Sequence, residues 1–286
     1  MNITHSPRTA LITGANHGIG LALTRRMLDE GWEVIALIRS AFAEDDPLIQ
    51  EALARRQLRI YKADLSDFTQ LRSAMQSINQ HETQIDLLFN NAGGSFPELT
   101  FSKQGRELHY ELQTVVPYII TMELKPLLLN GTLRTVINTS SNAFMMKPGF
   151  DPASLAHPAK FQMLTGPYAD TKRALSLWTE AVAPVLEAEG ILIRSADPGG
   201  NNTLRSGKKS GIPLWLKPIT RLFFPEPTHG AGLLYQAALG EHSGKSGVFL
   251  TKNQVKPLKF TEHSSRILKD VRAIYEREFL QTGSAN

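Results

Sequence analysis

Tyr168 and Lys172 are four residues apart in the stretch GPYADTKRAL, which covers residues 166–175. Side chains four residues apart lie on one face of a helix, so the lysine ammonium can approach the phenol. A free tyrosine has a pKa of about 10 and a free lysine of about 10.4, so neither transfers protons readily at neutral pH. A nearby cation stabilises phenolate and lowers the pKa of tyrosine. The pair predicts a tyrosine general acid–base assisted by a lysine. The alternative is the polar rim of an amphipathic helix.

The glycine-rich turn TGANHGIG, residues 13–20, is a second candidate site. It follows a predicted strand and opens a predicted helix, where backbone N–H groups and the helix dipole bind a pyrophosphate. Its spacing, G-x-x-x-G-x-G, differs from the commoner G-x-G-x-x-G of dinucleotide-binding turns. The residues that we assign to the cofactor site here are Gly14, Asn16, His17, Gly18, Ile19 and Gly20.

Arg39 ends the second predicted strand, in the stretch VIALIRS. Folds that bind NAD place an acidic residue at this point to accept hydrogen bonds from the ribose 2′-hydroxyl. This chain has no carboxylate there until Glu44, and a guanidinium suits the charge and shape of a 2′-phosphate. With His17 as a second donor, the sequence favours NADP(H). The alternative for both residues is a solvated surface position.

Short apolar runs alternate with longer helical patterns. Predicted strands cover residues 9–13, 33–38, 58–63, 85–90, 135–140 and 191–196, with a weaker one at 247–251. Predicted helices cover residues 19–30, 47–55, 67–80, 104–129, 167–188, 228–239 and 264–280, with Ser66 or Asp67 as a cap of the third. Strands that are apolar throughout are typical of a sheet covered on both faces. The predicted fold class is α/β: one Rossmann-type, doubly wound parallel sheet of about seven strands, with helices on both faces. We expect a single domain over residues 1–286.

Residues 197–227 interrupt this alternation with glycine, proline and the apolar stretch IPLWLKPITRLFFPEP. A long insertion beside a ligand crevice is typically a lid, so we predict a substrate lid around residues 204–227, with Trp215, Phe223 and Phe224 on it. A loop packed on the sheet edge is the alternative. A membrane-surface helix is disfavoured because Pro218 breaks the run.

The composition excludes several kinds of site. The chain has no cysteine, which excludes disulfides, thiolate chemistry and cysteine zinc sites, and we predict no metal site. Its net charge of +4 comes with no long basic run, so we predict no nucleic-acid partner. No apolar run reaches the roughly 18 residues of a membrane span, and the first strand starts too early for a signal peptide. We therefore expect a cytoplasmic protein that has no transmembrane segment and does not bind a membrane surface.

Together, these motifs resemble the short-chain dehydrogenase/reductase family over nearly the whole chain. The further residues that carry the resemblance each follow a predicted strand. They are Asp64 and Leu65 after the third strand, Asn91, Ala92 and Gly93 after the fourth, Ser141 after the fifth, and Pro198, Gly199 and Thr203 after the sixth. The resemblance implies that Asp64 and Leu65 bind adenine, that Thr203 contacts the nicotinamide carboxamide, and that Lys172 binds the nicotinamide ribose. It also implies that Ser141 holds the substrate oxygen against Tyr168.

The interval from Ser141 to Tyr168 is 27 residues, a length that resembles retinol-dehydrogenase-like and carbonyl-reductase-like members. It carries Met145, Met146 and other apolar residues that suit an adaptable pocket wall. The resemblance implies an NADP(H)-dependent oxidoreductase that acts on the carbonyl or alcohol of a lipophilic small molecule, with a homo-oligomer possible. The alternatives are a non-catalytic NADP(H)-binding regulator, and a reductase of a polyketide- or sugar-type intermediate.

Gln113 occupies the position where the family has a catalytic asparagine. Pro117 lies four residues later and has no N–H to donate. In an α-helix the missing donor would have paired with the carbonyl of residue 113. We therefore add Gln113 to the candidate catalytic set, with its backbone carbonyl freed by Pro117 in a kinked helix. An ordinary kink without this role is the alternative.

Overall fold

The computed structural model describes residues 7–200 and 225–281. Its strands form one sheet in the order β3-β2-β1-β4-β5-β6-β7-β8. The strands are β1 Thr9–Thr13, β2 Glu33–Ile38, β3 Leu58–Lys62, β4 Leu87–Asn90, β5 Thr135–Thr139, β6 Leu192–Asp197, β7 Phe249–Thr251 and β8 Gln254–Lys256. Strands β1 to β7 pair in parallel, and β8 runs antiparallel to β7.

The eighth strand corrects the prediction of about seven. Thr251 pairs with Gln254 across a two-residue turn. Both turn residues, Lys252 and Asn253, have positive φ, 50° and 55°, as the tight turns of hairpins require. Strand β8 has the sequence QVK and is mostly exposed. It therefore lacks the apolar run that identified the other strands.

The helices follow the predicted order, with one exception. They are α1 Gly18–Asp29, α2 Pro47–Ala54, α3 Phe68–His81, α4 Leu108–Tyr110, α5 Val116–Glu123, α6 Lys125–Asn130, α7 Pro167–Ala188, α8 Pro227–Leu239 and α9 Ser264–Ile274. The single helix predicted over residues 104–129 is wrong. The structure has α4, a π-helical turn at Glu111–Val115, then α5 and α6. Prolines near the starts of α5 and α6 remove backbone donors, which favours such interruptions.

Two apolar cores lie on opposite faces of the sheet because successive strand side chains point to opposite sides. On β1, Leu11 belongs to one core, while Ala10 and Ile12 belong to the other. Helices α3, α5, α7 and α9 cover the first face, and α1, α2 and α8 cover the second. In the two described ranges, no helix has the length and apolar character needed to cross a membrane.

The strand order reverses between β1 and β4, since β2 and β3 lie to one side and β5, β6 and β7 to the other. Parallel sheets bind ligands in the crevice at such a reversal, beyond the carboxyl ends of the strands. The ends of β1, β4, β5 and β6 all meet at this edge. The fold therefore brings the motifs that follow those four strands into one region.

Candidate active site

Helix α7 carries Tyr168 in its first turn and Lys172 one turn later. Pro167 stands in the first turn. Backbone N–H groups have no partner within the helix at that point, so proline breaks no helical hydrogen bond there. The Lys172 side chain is 4% exposed, and its Nζ donates to the Thr139 carbonyl oxygen at 2.6 Å. The same nitrogen lies 6.0 Å from the centre of the Tyr168 ring. The end of β5 thus anchors the lysine beside the phenol.

Ser141 follows β5 and faces Tyr168. Its hydroxyl lies within hydrogen-bonding reach of the phenol and also accepts from the Ala143 N–H at 3.2 Å. The preceding Ser140 points the other way, with its hydroxyl bonded to the Lys172 carbonyl and the Ser176 hydroxyl. Of the two adjacent serines, Ser141 is the one that the structure brings to the tyrosine.

The electrostatics of the pair differ from the sequence expectation. Burial raises the pKa of Tyr168, the Ser141 hydrogen bond opposes that rise, and the charge of Asp197 adds to it. Burial lowers the pKa of Lys172 to about 7, against the influence of Asp197. The expected lowering of the tyrosine pKa by Lys172 is not found. The reason is that desolvation dominates at the phenol and the ammonium is held on Thr139.

The glycine turn between β1 and α1 has a shape that only small residues allow. Gly14 and Gly18 have φ of 66° and 52°. A Cβ on Gly20 would lie 2.1 Å from the Gly14 carbonyl oxygen and 2.7 Å from the side-chain nitrogen of Asn91. That Asn91 nitrogen donates to the Thr13 carbonyl at 3.0 Å, which ties β4 to the turn. The turn thus brings bare backbone to the N-terminus of α1, a geometry that fits a dinucleotide pyrophosphate.

Arg39 is 71% exposed at the end of β2, and its guanidinium lies 3.5 Å from the Asp64 carboxylate. Partial burial works against ionisation of Asp64, but hydrogen bonds from Ser66 and the charge of Arg39 lower its pKa. Asn16 donates its amide to the carbonyls of Ser40 and Ala41 at 2.5 and 3.1 Å. Asn16 therefore holds the loop that carries Arg39. An exposed guanidinium beside the glycine turn fits a ligand phosphate.

Gln113 lies in the π-helical turn and is 1% exposed. In this turn Val116 donates to the Glu111 carbonyl, five residues back. If the same spacing continues to residue 117, the donor that Pro117 lacks corresponds to the Leu112 carbonyl. The freeing of the Gln113 carbonyl by Pro117 stays a prediction. The side chain of Gln113 donates to the Gly94 carbonyl at 2.9 Å.

Thr114 fastens the π-helical turn to α7. Its hydroxyl donates to the Thr171 carbonyl at 2.9 Å, and its own carbonyl accepts from the indole of Trp178 at 3.1 Å. These bonds lie on both sides of Lys172 in the sequence of α7. They fix the turn that carries Gln113 against the helix that carries the tyrosine and the lysine.

Arg173 anchors the segment after Ser141. It is 1% exposed and donates to the carbonyls of Phe144, Lys147 and Gly149, at 2.8 Å for Lys147 and 2.9 Å for Gly149. This anchored segment leaves two apolar side chains in solvent: Met145 is 41% exposed and Met146 is 79% exposed. The segment is therefore a fixed, partly apolar wall beside the serine.

Of the remaining predicted residues, Ala92 donates its N–H to the Thr13 hydroxyl at 2.8 Å, and Leu65 belongs to the core under α3. Pro198 and Gly199 follow β6, where Gly199 has φ of 74° and donates to the Asp197 carboxylate at 3.0 Å. Thr203 and residues 204–224 of the predicted lid lie outside the described residues. Asp67, predicted with Ser66 as a cap, caps α3 and accepts from Thr69.

Three buried groups at the site were not among the residues predicted from the sequence: Glu107, His109 and Asp197. The centre of the His109 ring lies 5.9 Å from that of Tyr168. Asp197 accepts from the Thr251 hydroxyl at 2.8 Å and acts on both Tyr168 and Lys172 through its charge. Two signals were present in the sequence: His109 is four residues before Gln113, and Asp197 directly precedes the Pro198–Gly199 turn.

The model of one protein family, described as short chain dehydrogenase, matches residues 8–210. The chain belongs to this family. The match includes the glycine turn, Ser141, Tyr168 and Lys172.

Two relatives are similar to this chain over different shares of their length. A short-chain dehydrogenase/reductase of Pestalotiopsis fici is 34% identical over 41% of the chain and 38% of its own length. Human retinol dehydrogenase 14 is 26% identical over 92% of the chain and 84% of its own length. The chain thus spans well under half of the first relative and most of the second.

Solved structures of the family share the fold. NADPH-bound carbonyl reductase from chicken fatty liver has a TM-score of 0.64 at 22% identity, over 88% of this chain and 99% of its own. A Brucella ovis oxidoreductase in complex with a partially ordered NAD has a TM-score of 0.57 at 22% identity, over 86% and 99%. At such identities the likeness shows the α/β Rossmann-like fold alone.

Proposed function

We propose that the protein is an NADP(H)-dependent oxidoreductase that transfers a hydride between nicotinamide and the carbonyl or alcohol of a lipophilic small molecule. The observation that carries the proposal is the convergence of Ser141, Tyr168 and Lys172 at the end of β5, in the crevice that also holds the glycine turn. A regulator that only bound the cofactor would not need a serine hydroxyl within reach of a half-buried phenol.

The cofactor would be held along the carboxyl ends of the strands. The Gly14–Gly20 turn and the N-terminus of α1 would take the pyrophosphate, and Asp64 and Leu65 the adenine. Arg39 supports NADP(H) over NAD(H) because its guanidinium is exposed and its ion pair with Asp64 is long, at 3.5 Å. It remains able to pair with a 2′-phosphate.

When bound, the nicotinamide supplies or accepts the hydride. In the reducing direction, Tyr168 gives its phenolic proton to the substrate oxygen, and Ser141 donates a hydrogen bond to that oxygen. Lys172, held on the Thr139 carbonyl at the end of β5, would bind the nicotinamide ribose. Asp197 favours the charged form of Lys172 in a site where burial opposes it. In the oxidising direction the same groups act in reverse.

The lipophilic substrate class is supported by the wall that follows Ser141. Met145 and Met146 are exposed large apolar side chains, and methionine adapts to varied apolar ligands. Phe101 is 49% exposed and stacks on His157, which lies in the interval between Ser141 and Tyr168. The two ring centres are 6.1 Å apart. The similarity to a retinol dehydrogenase over most of both chains is in accord with a substrate of this class.

The test is a screen of the purified chain with NADPH and NADH against ketones and aldehydes of graded apolarity. Turnover is measured as the change in nicotinamide absorbance. We expect turnover with NADPH that improves with the apolar size of the substrate. Tight NADPH binding without turnover of any carbonyl or alcohol would instead support a regulator. Preference for polyhydroxylated substrates would support the sugar-type alternative.

A further inference from the structure

Two side chains of one helical segment hold the same loop. His109 lies in its first turn, α4, and Gln113 follows four residues later in the π-helical turn. The ring nitrogen Nε2 of His109 accepts from the Phe96 N–H at 2.9 Å. The amide of Gln113 donates to the Gly94 carbonyl at 2.9 Å. His109 therefore accepts from one backbone N–H of residues 94–96, and Gln113 donates to one backbone carbonyl of the same residues.

The contact at Phe96 determines which nitrogen of His109 carries the proton. A neutral imidazole has one donor and one acceptor nitrogen. Because Nε2 accepts from Phe96, the proton lies on Nδ1, which is 2.6 Å from a carboxylate oxygen of Glu107. The other oxygen of Glu107 accepts from the Tyr110 N–H at 2.9 Å. Glu107 is fully buried and His109 is 1% exposed, so water competes little for these bonds.

The ring of His109 stands between the loop and the proposed general acid. Its centre is 4.6 Å from that of Phe96. It is also 5.9 Å from that of Tyr168, with the two planes at 76°. An edge-to-face contact of this kind has a preferred geometry. A shift of residues 94–96 would therefore move the ring against which Tyr168 packs.

Gln113 matches the loop in size as well as in hydrogen bonding. A Cβ on Gly93 would lie 2.8 Å from the Gln113 Cγ, so the side chain runs directly over the bare backbone of that glycine. The Gln113 amide oxygen is buried and has no partner among the described residues. An asparagine, one methylene shorter, would fall short of the Gly94 carbonyl by about 1.5 Å, one C–C bond length.

We propose that His109 and Gln113 are positioning residues that jointly hold residues 94–96 and so orient Tyr168, with Glu107 selecting the required tautomer of His109. We call this arrangement the 94–96 clasp. Its effect on turnover rests on the proposed oxidoreductase function, whereas its hydrogen bonds do not. The competing interpretation is that Glu107 only caps α4 and His109 only fills the core.

The first test needs no substrate. Nitrogen-15 NMR of the histidine rings in the full chain should show His109 as the neutral Nδ1–H tautomer, and the Phe96 amide should exchange slowly. Glu107→Gln offers only one oxygen to two donors, so either His109 or Tyr110 loses its acceptor. We expect the His109 signals to shift and Phe96 exchange to accelerate at least tenfold. An Nε2–H tautomer in the unaltered protein would overturn the clasp.

The second test separates positioning from packing. His109→Phe keeps a ring against Tyr168 and Phe96 but removes the acceptor for the Phe96 N–H. We expect kcat to fall about ten- to hundredfold, as misplacement of a reacting group commonly does, with NADPH affinity changed less than threefold. His109→Gln retains an acceptor and a donor and should recover at least half of the lost activity on a logarithmic scale.

His81→Phe makes the same chemical change at the exposed end of α3 and should leave kcat unaltered. An undiminished kcat in His109→Phe, or equal losses in His109→Phe and His109→Gln, would contradict a positioning role. If the unaltered chain turned over no carbonyl, the proposed function would fail. The tautomer and exchange measurements would still decide whether the clasp exists.

Discussion

The ammonium nitrogen of Lys172 stands 6.0 Å from the centre of the Tyr168 ring. It donates to the end of β5, at the Thr139 carbonyl. Burial lowers the pKa of this lysine to about 7 and raises that of the tyrosine. The helix places the two groups on one face, but the sheet determines where the lysine charge is held.

Tyr168→Phe should fold and bind NADPH but lose turnover by about 10²–10⁴-fold, the usual contribution of general acid–base catalysis. Single-turnover kinetics and calorimetric titration would separate chemistry from binding. Tyr235→Phe, which removes a half-buried hydroxyl on α8, is the matched control. Near-normal kcat in Tyr168→Phe would mean that another group donates the proton.

Arg39→Ala should remove most of the preference for NADPH over NADH. In the unaltered protein we expect NADPH to bind at least tenfold more tightly than NADH, a difference of about 1.4 kcal/mol in binding free energy. The reason is that only NADPH offers a 2′-phosphate to the guanidinium. Titration calorimetry with both cofactors measures this. Arg55→Ala is the control, since Arg55 is also 71% exposed and ion-paired. Equal affinities of the unaltered protein for the two cofactors would refute the assignment.

Lys172→Met should change how stability depends on pH. In the unfolded chain the lysine keeps its proton up to about pH 10.5, whereas in the folded chain it loses the proton above about pH 7. Between these values the unfolded state binds more protons, so the unaltered protein gains stability as pH rises. Its unfolding free energy relative to Lys172→Met should rise by up to about 1.4 kcal/mol per pH unit. Urea unfolding at pH 7, 8 and 9 tests this, and parallel curves would contradict it.

Gly93→Ala should be more destabilising than Gly94→Ala. The two glycines have nearly the same φ, 153° and 156°, so the backbone strain is similar. At Gly93 the new Cβ would meet Gln113 at 2.8 Å, while at Gly94 no atom of the described residues lies within 4 Å. We expect an extra cost of about 1–3 kcal/mol for the overpacking. In denaturant melts, adding Gln113→Ala should recover much of this difference, and equal costs at both glycines would rule out the clash.

Arg173→Met should loosen the segment after Ser141, because the carbonyls of Phe144, Lys147 and Gly149 lose their common donor. Buried carbonyls left without a partner cost about 1–3 kcal/mol each. Hydrogen exchange of residues 142–151 should accelerate at least tenfold. Arg194→Met is the control, as Arg194 is also buried and donates to the carbonyls of Ala238, Ser243 and Lys245. Unchanged exchange in Arg173→Met would show that the segment is held by other contacts.

Residue pattern and spacing alone predicted the order of strands and helices and named candidate residues for the crevice. Continuous apolar runs identified β1 to β7, because strands buried on both faces carry no polar alternation. The glycine turn, Ser141 and the tyrosine–lysine pair were recognisable because each depends on local chemistry at a fixed spacing. The polar, exposed β8 left no such signal.

How those residues are held depends on contacts between segments that are distant in the sequence. Lys172 pairs with Thr139, 33 residues away in the chain, and no local pattern encodes that contact. The π-helical turn at Glu111–Val115 depends on packing against α7, which supplies the partners of Thr114. The tautomer of His109 follows from one N–H of Phe96. Such hydrogen bonds arise from the register of distant segments, which composition and spacing do not specify.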